Sequence, residues 1–205
     1  MNIPFSYTVI IIILNVVASL YAWNNQSVMQ KWMMNPYSID NRQEYWRFIT
    51  SGFIHNDYTH LFFNMFTLFF FGGIVESEIG GNLFVILFIL GIIISDIPTY
   101  LKNRKNQYYN SLGASGGVSS VLFASILFNP MNGIRIFPIP FEMKAFIFGF
   151  LYLFYSYYQA KRGGDNINHD AHFYGAVFGV VFSILAVPGA FAHFISEVSR
   201  WQLFN

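Results

Sequence analysis

Four polar side chains stand at the beginnings of long apolar runs. His60 and Asn64 lie four residues apart at the start of one run, Ser115 opens another within Gly113-Ala-Ser115-Gly116, and His172 opens a third within Ala171-His-Phe-Tyr-Gly175. A serine hydroxyl is a weak nucleophile until a base takes its proton, and histidine is the usual base. Gly113 and Gly116 leave the hydroxyl uncrowded and let backbone approach a substrate closely. The N–H of Ser115 falls at a helix start, where donors are unpaired and negative charge is favoured. Residues i and i+4 share a helix face, so His60 and Asn64 can donate to the same developing oxyanion. Together these residues point to acyl transfer at a serine. No carboxylate completes a triad: Asp170 is two residues from His172, points roughly the other way in a helix, and reads as the N-cap of the last run. A Ser–His dyad is the favoured reading.

The elements that position these groups follow from composition. Of 205 residues, 55% are hydrophobic and only 10% are charged, against about 25% charged in an ordinary soluble domain. Mean hydropathy is +0.44. A soluble globular enzyme and a disordered chain are excluded on these grounds. A net charge of +1 provides no basic field for nucleic acid. The absence of cysteine removes disulfides and thiolate chemistry.

Six apolar segments are read at roughly 4–23, 58–75, 83–101, 113–128, 143–160 and 171–190, and 19 of the 21 charged residues fall outside them. The exceptions are Asp96, read as marking the interface, and Lys144 at the start of the fifth segment. Charges excluded from long apolar runs are what a bilayer demands, and runs without alternation must be helices, which satisfy their own backbone in lipid. The first run lacks a basic n-region, the first Lys or Arg being Lys31, and is expected to be retained as a helix. The long first loop, about 24–57, mixes Trp23, Trp32, Trp46, Tyr37 and Tyr45 with charges, as a headgroup-level segment would. The expected fold is therefore an all-α polytopic membrane protein, a single domain over 1–205 with six transmembrane helices and a long membrane-associated first loop.

Counting crossings brings the four groups together. The second, fourth and sixth spans run in one direction, so their starts share one side of the bilayer. Ala171, Gly175 and Gly179 form a row of small residues near the His172 face, and Gly116, Ser120 and Ala124 form another behind Ser115. Small residues let helix backbones approach in lipid. The fourth span is short: sixteen residues make about 24 Å, against a hydrocarbon core of about 30 Å, which would recess Ser115 below the surface.

At these residues the sequence resembles the rhomboid family of intramembrane serine proteases. Gly113-Ala-Ser115-Gly116 matches a GxSG motif, Ala171-His172-Phe-Tyr-Gly175 with Gly179 matches AHxxG…G, His60-Leu-Phe-Phe-Asn64 matches HxxxN, and Trp46-Arg47 matches a WR dipeptide. Gly73-Ile-Val-Glu76 with Gly80, and His55, also have counterparts. The similarity covers about 46–179. It implies a bacterial-type six-helix core in which Ser115 is the nucleophile and His172 the general base and acid. The Ser115 N–H, His60 and Asn64 would form the oxyanion hole. It implies structural roles for Trp46, Arg47 and Glu76. His55 is read more plainly, as lining a water cavity. The resemblance further implies single-pass transmembrane protein substrates, a location in the lipid bilayer of the bacterial inner membrane, and neither metal nor cofactor. One departure stands out. Many bacterial members place a tyrosine four residues after the nucleophile, stacked on the histidine. This chain has Ser119 there, so either another aromatic supports His172 or the ring is held more loosely.

Other readings weigh less. Taken alone, Ser115 would be a packing serine and His172 a packing histidine. His169 and His172 have metal-ligand spacing, but no HExxH motif or carboxylate joins them. A catalytically silent rhomboid-like binder of membrane helices would be expected to lack the serine or the histidine. A small transporter or channel would carry broken helices with midplane charges. Orientation is contradictory. The loops on the mouth side carry eight Lys and Arg and the other side three, which puts the mouth in the cytoplasm. The resemblance puts both termini there instead, and that arrangement is preferred.

Overall fold

The computed structural model describes residues 6–135, 141–164 and 167–201; residues 4–5 of the first expected span and Asp165 lie outside them. Among the described residues the structure is all-α apart from one short hairpin and an isolated bridge between Met34 and Ser111. Helix α1, Tyr7–Trp23, starts at Ser6, whose hydroxyl accepts from Val9 N–H. Its start is also covered from elsewhere: the Glu76 carboxylate accepts from Tyr7 N–H (2.8 Å), Thr8 N–H (3.0 Å), Thr8 Oγ1 (2.7 Å) and Ser6 Oγ (3.0 Å). An anion at a helix N-terminus meets both the unpaired donors and the macrodipole, so Glu76 welds α1 to the helix that carries it.

The segment read as a long first loop contains three short helices, α2 (Gln26–Trp32), α3 (Pro36–Arg42) and α4 (Arg47–Thr50), followed by a 3-10 turn at Ser51–Phe53. Each is too short to show an apolar period in sequence. Arg47 holds them: it is buried, its guanidinium donates to Gln30 O and Met33 O at 2.8 Å each, and it pairs with Glu44. Trp46, by contrast, is exposed.

Helix α5, Tyr58–Ile79, is capped by Asp57, which accepts from His60 N–H. Gly80, with φ +78°, turns the chain into α6, Gly81–Asn103. Helix α7, Ser115–Phe128, is buried at every residue from Gly116 on, which is why its sequence is apolar all round. Strands β1 (Gly133–Arg135) and β2 (Glu142–Lys144) pair antiparallel, Gly133 against Lys144. Strand β2 occupies the first residues of the expected fifth span, and helix α8 runs from Ala145 to Arg162. Helix α9, His169–Ala186, ends before Gly189, where φ is +86° and a separate helix α10, Ala190–Arg200, begins. The expected sixth span, 171–190, therefore starts two residues late and ends in the turn.

Helices α5, α6 and α9 are long and apolar enough to cross a membrane, and α1 and α7 are shorter apolar helices. Large apolar side chains face outward from α1 (Ile13, Val17), α5 (Phe62, Phe66, Phe69) and α8 (Phe150, Phe154). An apolar belt of this extent suits lipid as its solvent.

The glycines set the directions around α7. A Cβ at Gly175 would strike Gly116 O, and one at Gly179 would strike Ser120 O. The partners advance together along both chains, so α7 and α9 are parallel. A Cβ at Gly116 would strike Ser95 Oγ and one at Gly91 would strike Ser120 Oγ. Here the partners advance in opposite directions, so α6 and α7 are antiparallel. The rows of small residues seen in sequence are the places where these backbones touch, and Ser120 Oγ lies 2.9 Å from both Gly116 O and Gly175 O.

Candidate active site

Ser115 is the first residue of α7, and the turn before it is fixed from several sides. Gly113 takes φ +122°, a conformation that L side chains rarely adopt. Gly113 N–H donates to Ser51 O at 2.9 Å. Ser111 pairs through its backbone with Met34, tying the approach to α7 onto the segment after α2. Ala114 N–H donates to His55 Nε2 at 3.3 Å.

His55 is fully buried and does not line an open water cavity as the sequence reading had it. Its Nε2 accepts, so the proton sits on Nδ1, 3.0 Å from Ser19 Oγ, with the tautomer assigned from these partners. Burial, helped by nearby His60, pushes its pKa down to about 3. It is a neutral strut between α1 and the turn before Ser115. Sequence alone offered only its position five residues before His60.

The His60 ring packs against Gly113, where a Cβ would sit 2.5 Å from its Cε1, and lies edge-on to His55 at 5.0 Å. It thus touches the chain two residues before Ser115. Asn64 is buried one turn further along α5, and its Nδ2 donates to His60 O at 2.9 Å. Its amide nitrogen keeps a second hydrogen.

His172 lies in the first turns of α9. The cap of that helix is Asn168 and not Asp170: Asn168 Oδ1 accepts from Ala171 N–H at 3.1 Å and from Thr99 Oγ1 at 3.0 Å. Asp170 turns to Lys102 Nζ at 3.4 Å. The carboxylate is thus engaged by a cation. His169 and His172 meet edge to face at 5.8 Å. Among the described residues no group of three or more His, Asp or Glu is gathered as a metal would need.

Ser115 and His172 lie at the same end of the tight α7–α9 contact, just before Gly116 and three residues before Gly175. A hydrogen bond between a nucleophile and its base is often long or misaligned without substrate and tightens once it binds, so shared placement is the feature that matters here. Ser115 borders a cavity of about 10 Å³, room for about one water, shared with Ser95, Asp96, Ser111, Asn168 and Ala171. Asp96 is buried there, inside the protein. A carboxyl inside an apolar run was the signal for this.

The second aromatic left open by Ser119 is present. Tyr152 of α8 stacks on His172, with ring centroids 6.3 Å apart and planes 21° apart.

Residues 42–189 match the Rhomboid domain family model, and the chain belongs to the rhomboid family. It is 28% identical over 186 residues to the rhomboid protease GlpG of Photorhabdus laumondii, covering 86% of this chain and 60% of that protein. It is 28% identical over 148 residues to the putative rhomboid protease YdcA of Bacillus subtilis, covering 70% of this chain and 68% of that one. The rhomboid protease GlpG of Klebsiella pneumoniae is 23% identical, covering 89% of this chain and 63% of GlpG. The chain thus spans about three fifths of the length of the GlpG relatives it matches.

Proposed function

We propose that this protein is an intramembrane serine endopeptidase that cleaves transmembrane protein substrates in or near their membrane-spanning segment. The observation that carries this reading is the interlock of Gly116 with Gly175, which seats the starts of α7 and α9 together and brings Ser115 and His172 to one end of the contact. Helices α1, α5, α6, α7, α8 and α9 are read as six spans of a single domain over 1–205, in a bacterial inner membrane, with the three short helices before α5 at the headgroup level. At 14 residues α7 is about 21 Å long, less than the hydrocarbon thickness of about 30 Å, which supports a nucleophile recessed from the surface.

In this mechanism Ser115 Oγ attacks the scissile carbonyl carbon while His172 takes its proton. The oxyanion is met by the Ser115 N–H and by donors from His60 and Asn64. His172 then hands the proton to the departing amine nitrogen, and water, deprotonated by the same imidazole, releases the acyl group. Preorganised donors at the developing charge are worth about 3 kcal/mol each by comparison with soluble hydrolases.

The test is proteolysis of a single-span reporter substrate in liposomes. Wild type is expected to cleave, Ser115→Ala and His172→Ala to abolish turnover, Asn64→Ala to slow it by about a hundredfold, and a chelator to change nothing. Cleavage that survives Ser115→Ala overturns the mechanism. Cleavage lost to chelator does so as well.

A further inference from the structure

We propose that Tyr152, carried on α8, is the positioning residue for His172, and that Ser119 holds it in place. The inference rests on the Ser115–His172 reading above. Three contacts support it. The Tyr152 ring runs nearly parallel to the imidazole, with centroids 6.3 Å apart and planes 21° apart, an offset-stacked arrangement. Its hydroxyl is 2.8 Å from Ser119 Oγ, and Ser119 is 3% exposed on α7, one turn beyond Ser115 and therefore on the same face. Phe123 and Phe148 flank the same ring at 5.4 and 5.9 Å, so its plane is set by packing as well as by the hydrogen bond.

The geometry does work that neither helix of the dyad does alone. His169 borders the imidazole edge-on from its own helix, and Tyr152 covers a face. A ring confined in this way has few rotamers from which its nitrogen can reach Ser115. Serine at position 119 is what makes room: its short side chain leaves the space that the Tyr152 ring fills, and its hydroxyl gives the buried phenol a partner. The nucleophile is on α7, the base on α9 and the positioning ring on α8, so activity depends on how α8 is seated.

Four variants in liposomes test this: Tyr152→Leu, Tyr152→Phe, Ser119→Ala, and the last two combined. Each is checked for folding by its thermal midpoint. Tyr152→Leu is expected to lower kcat by about tenfold or more with KM within about twofold, because a misoriented base slows chemistry more than binding. Tyr152→Phe and Ser119→Ala keep the ring and lose one hydrogen bond, so each is expected to cost about two- to fivefold in kcat. The combined variant is expected to be no worse than either single one, since both remove the same contact.

Labelling of Ser115 by a small fluorophosphonate, which needs no substrate helix to enter, should slow in parallel with kcat. A folded Tyr152→Leu protein with unchanged kcat and labelling overturns the proposal. A rise in KM alone does the same and would make Tyr152 a substrate-access residue. Additive losses in the combined variant overturn the role of Ser119. Failure of the dyad reading is distinguishable, because the wild type itself would then neither label nor cleave.

Discussion

His55 shows how one side chain can matter without touching a substrate. Its ring is buried between Ser19 and Ala114 N–H, and Trp23 Nε1 donates to its backbone carbonyl at 2.8 Å. A second proton on that ring would displace the Ala114 donor and place an unpaired charge in the interior. Its folded pKa of about 3 lies below the ordinary 6.5. The unfolded chain therefore binds the extra proton first, and the stability this group contributes is complete above about 6.5 and is lost as pH falls toward 3. The thermal midpoint of wild type should drop between pH 6.5 and 4, and His55→Asn, which cannot titrate, should lose that part of the drop. An identical pH dependence in the two proteins would contradict the assignment. At neutral pH His55→Asn should also label more slowly with a fluorophosphonate, because the turn before Ser115 loses its strut.

At the scale of elements, the contact between α7 and α9 is the joint on which the site depends. Gly175→Ala would drive a methyl into Gly116 O, a backbone atom with nowhere to go. Overpacking of this kind costs about 1–3 kcal/mol and here also spreads the helix starts that carry Ser115 and His172. Thermal stability should fall and turnover should fall further, by about tenfold or more, as for misplaced catalytic groups. Gly73, within α5, has open space where an added methyl would sit, with nothing inside 4 Å, so Gly73→Ala should be neutral or stabilising by about 0.5–1 kcal/mol. Equal effects of the two alanines on melting and turnover would show that the joint is not special. This joint was legible in sequence, because lipid gives helices no hydrophobic reason to pair and leaves small residues as the visible trace of their contacts. The placement of the four motif residues at helix starts was visible for a related reason, since polar groups stand out at the start of apolar runs. What could not be read were features decided by distant partners. Asn168 and not Asp170 caps α9 because Lys102 draws the carboxylate away. Tyr152 reads in sequence as one more lipid-facing aromatic of α8, and only its contacts with His172 and Ser119 in the fold set it apart. The β1–β2 hairpin pairs only three residues a side, too few to leave an alternating pattern.

For the whole molecule the open quantity is the number of crossings and their direction. Among the described residues three helices meet the length and apolarity of a span outright, while α1 and α7 are shorter and α8 ends in Lys161 and Arg162. Two features favour counting all six. Helix α7 is sheathed by α5, α6 and α9, so its length need not match the bilayer, because protein and not lipid surrounds it. Helix α8 exposes Phe150, Leu151 and Phe154 on one side, as a lipid-facing helix does. An even number of crossings puts both termini on one side of the membrane. The charge count argues for the mouth facing the cytoplasm, but one of its cations is committed to the structure. Arg47 is buried on backbone carbonyls, which leaves seven mouth-side cations against three on the other side. With the family arrangement preferred, reporters fused at residue 1 and at residue 205 should both be cytoplasmic: fluorescent proteins bright, periplasmic phosphatase silent. Two ends on opposite faces would remove one of the six spans, α8 being the first to doubt. Both ends outside would keep the six spans and turn the mouth, with Ser115 behind it, toward the cytoplasm, so that substrates would have to present their cleavage site from that side.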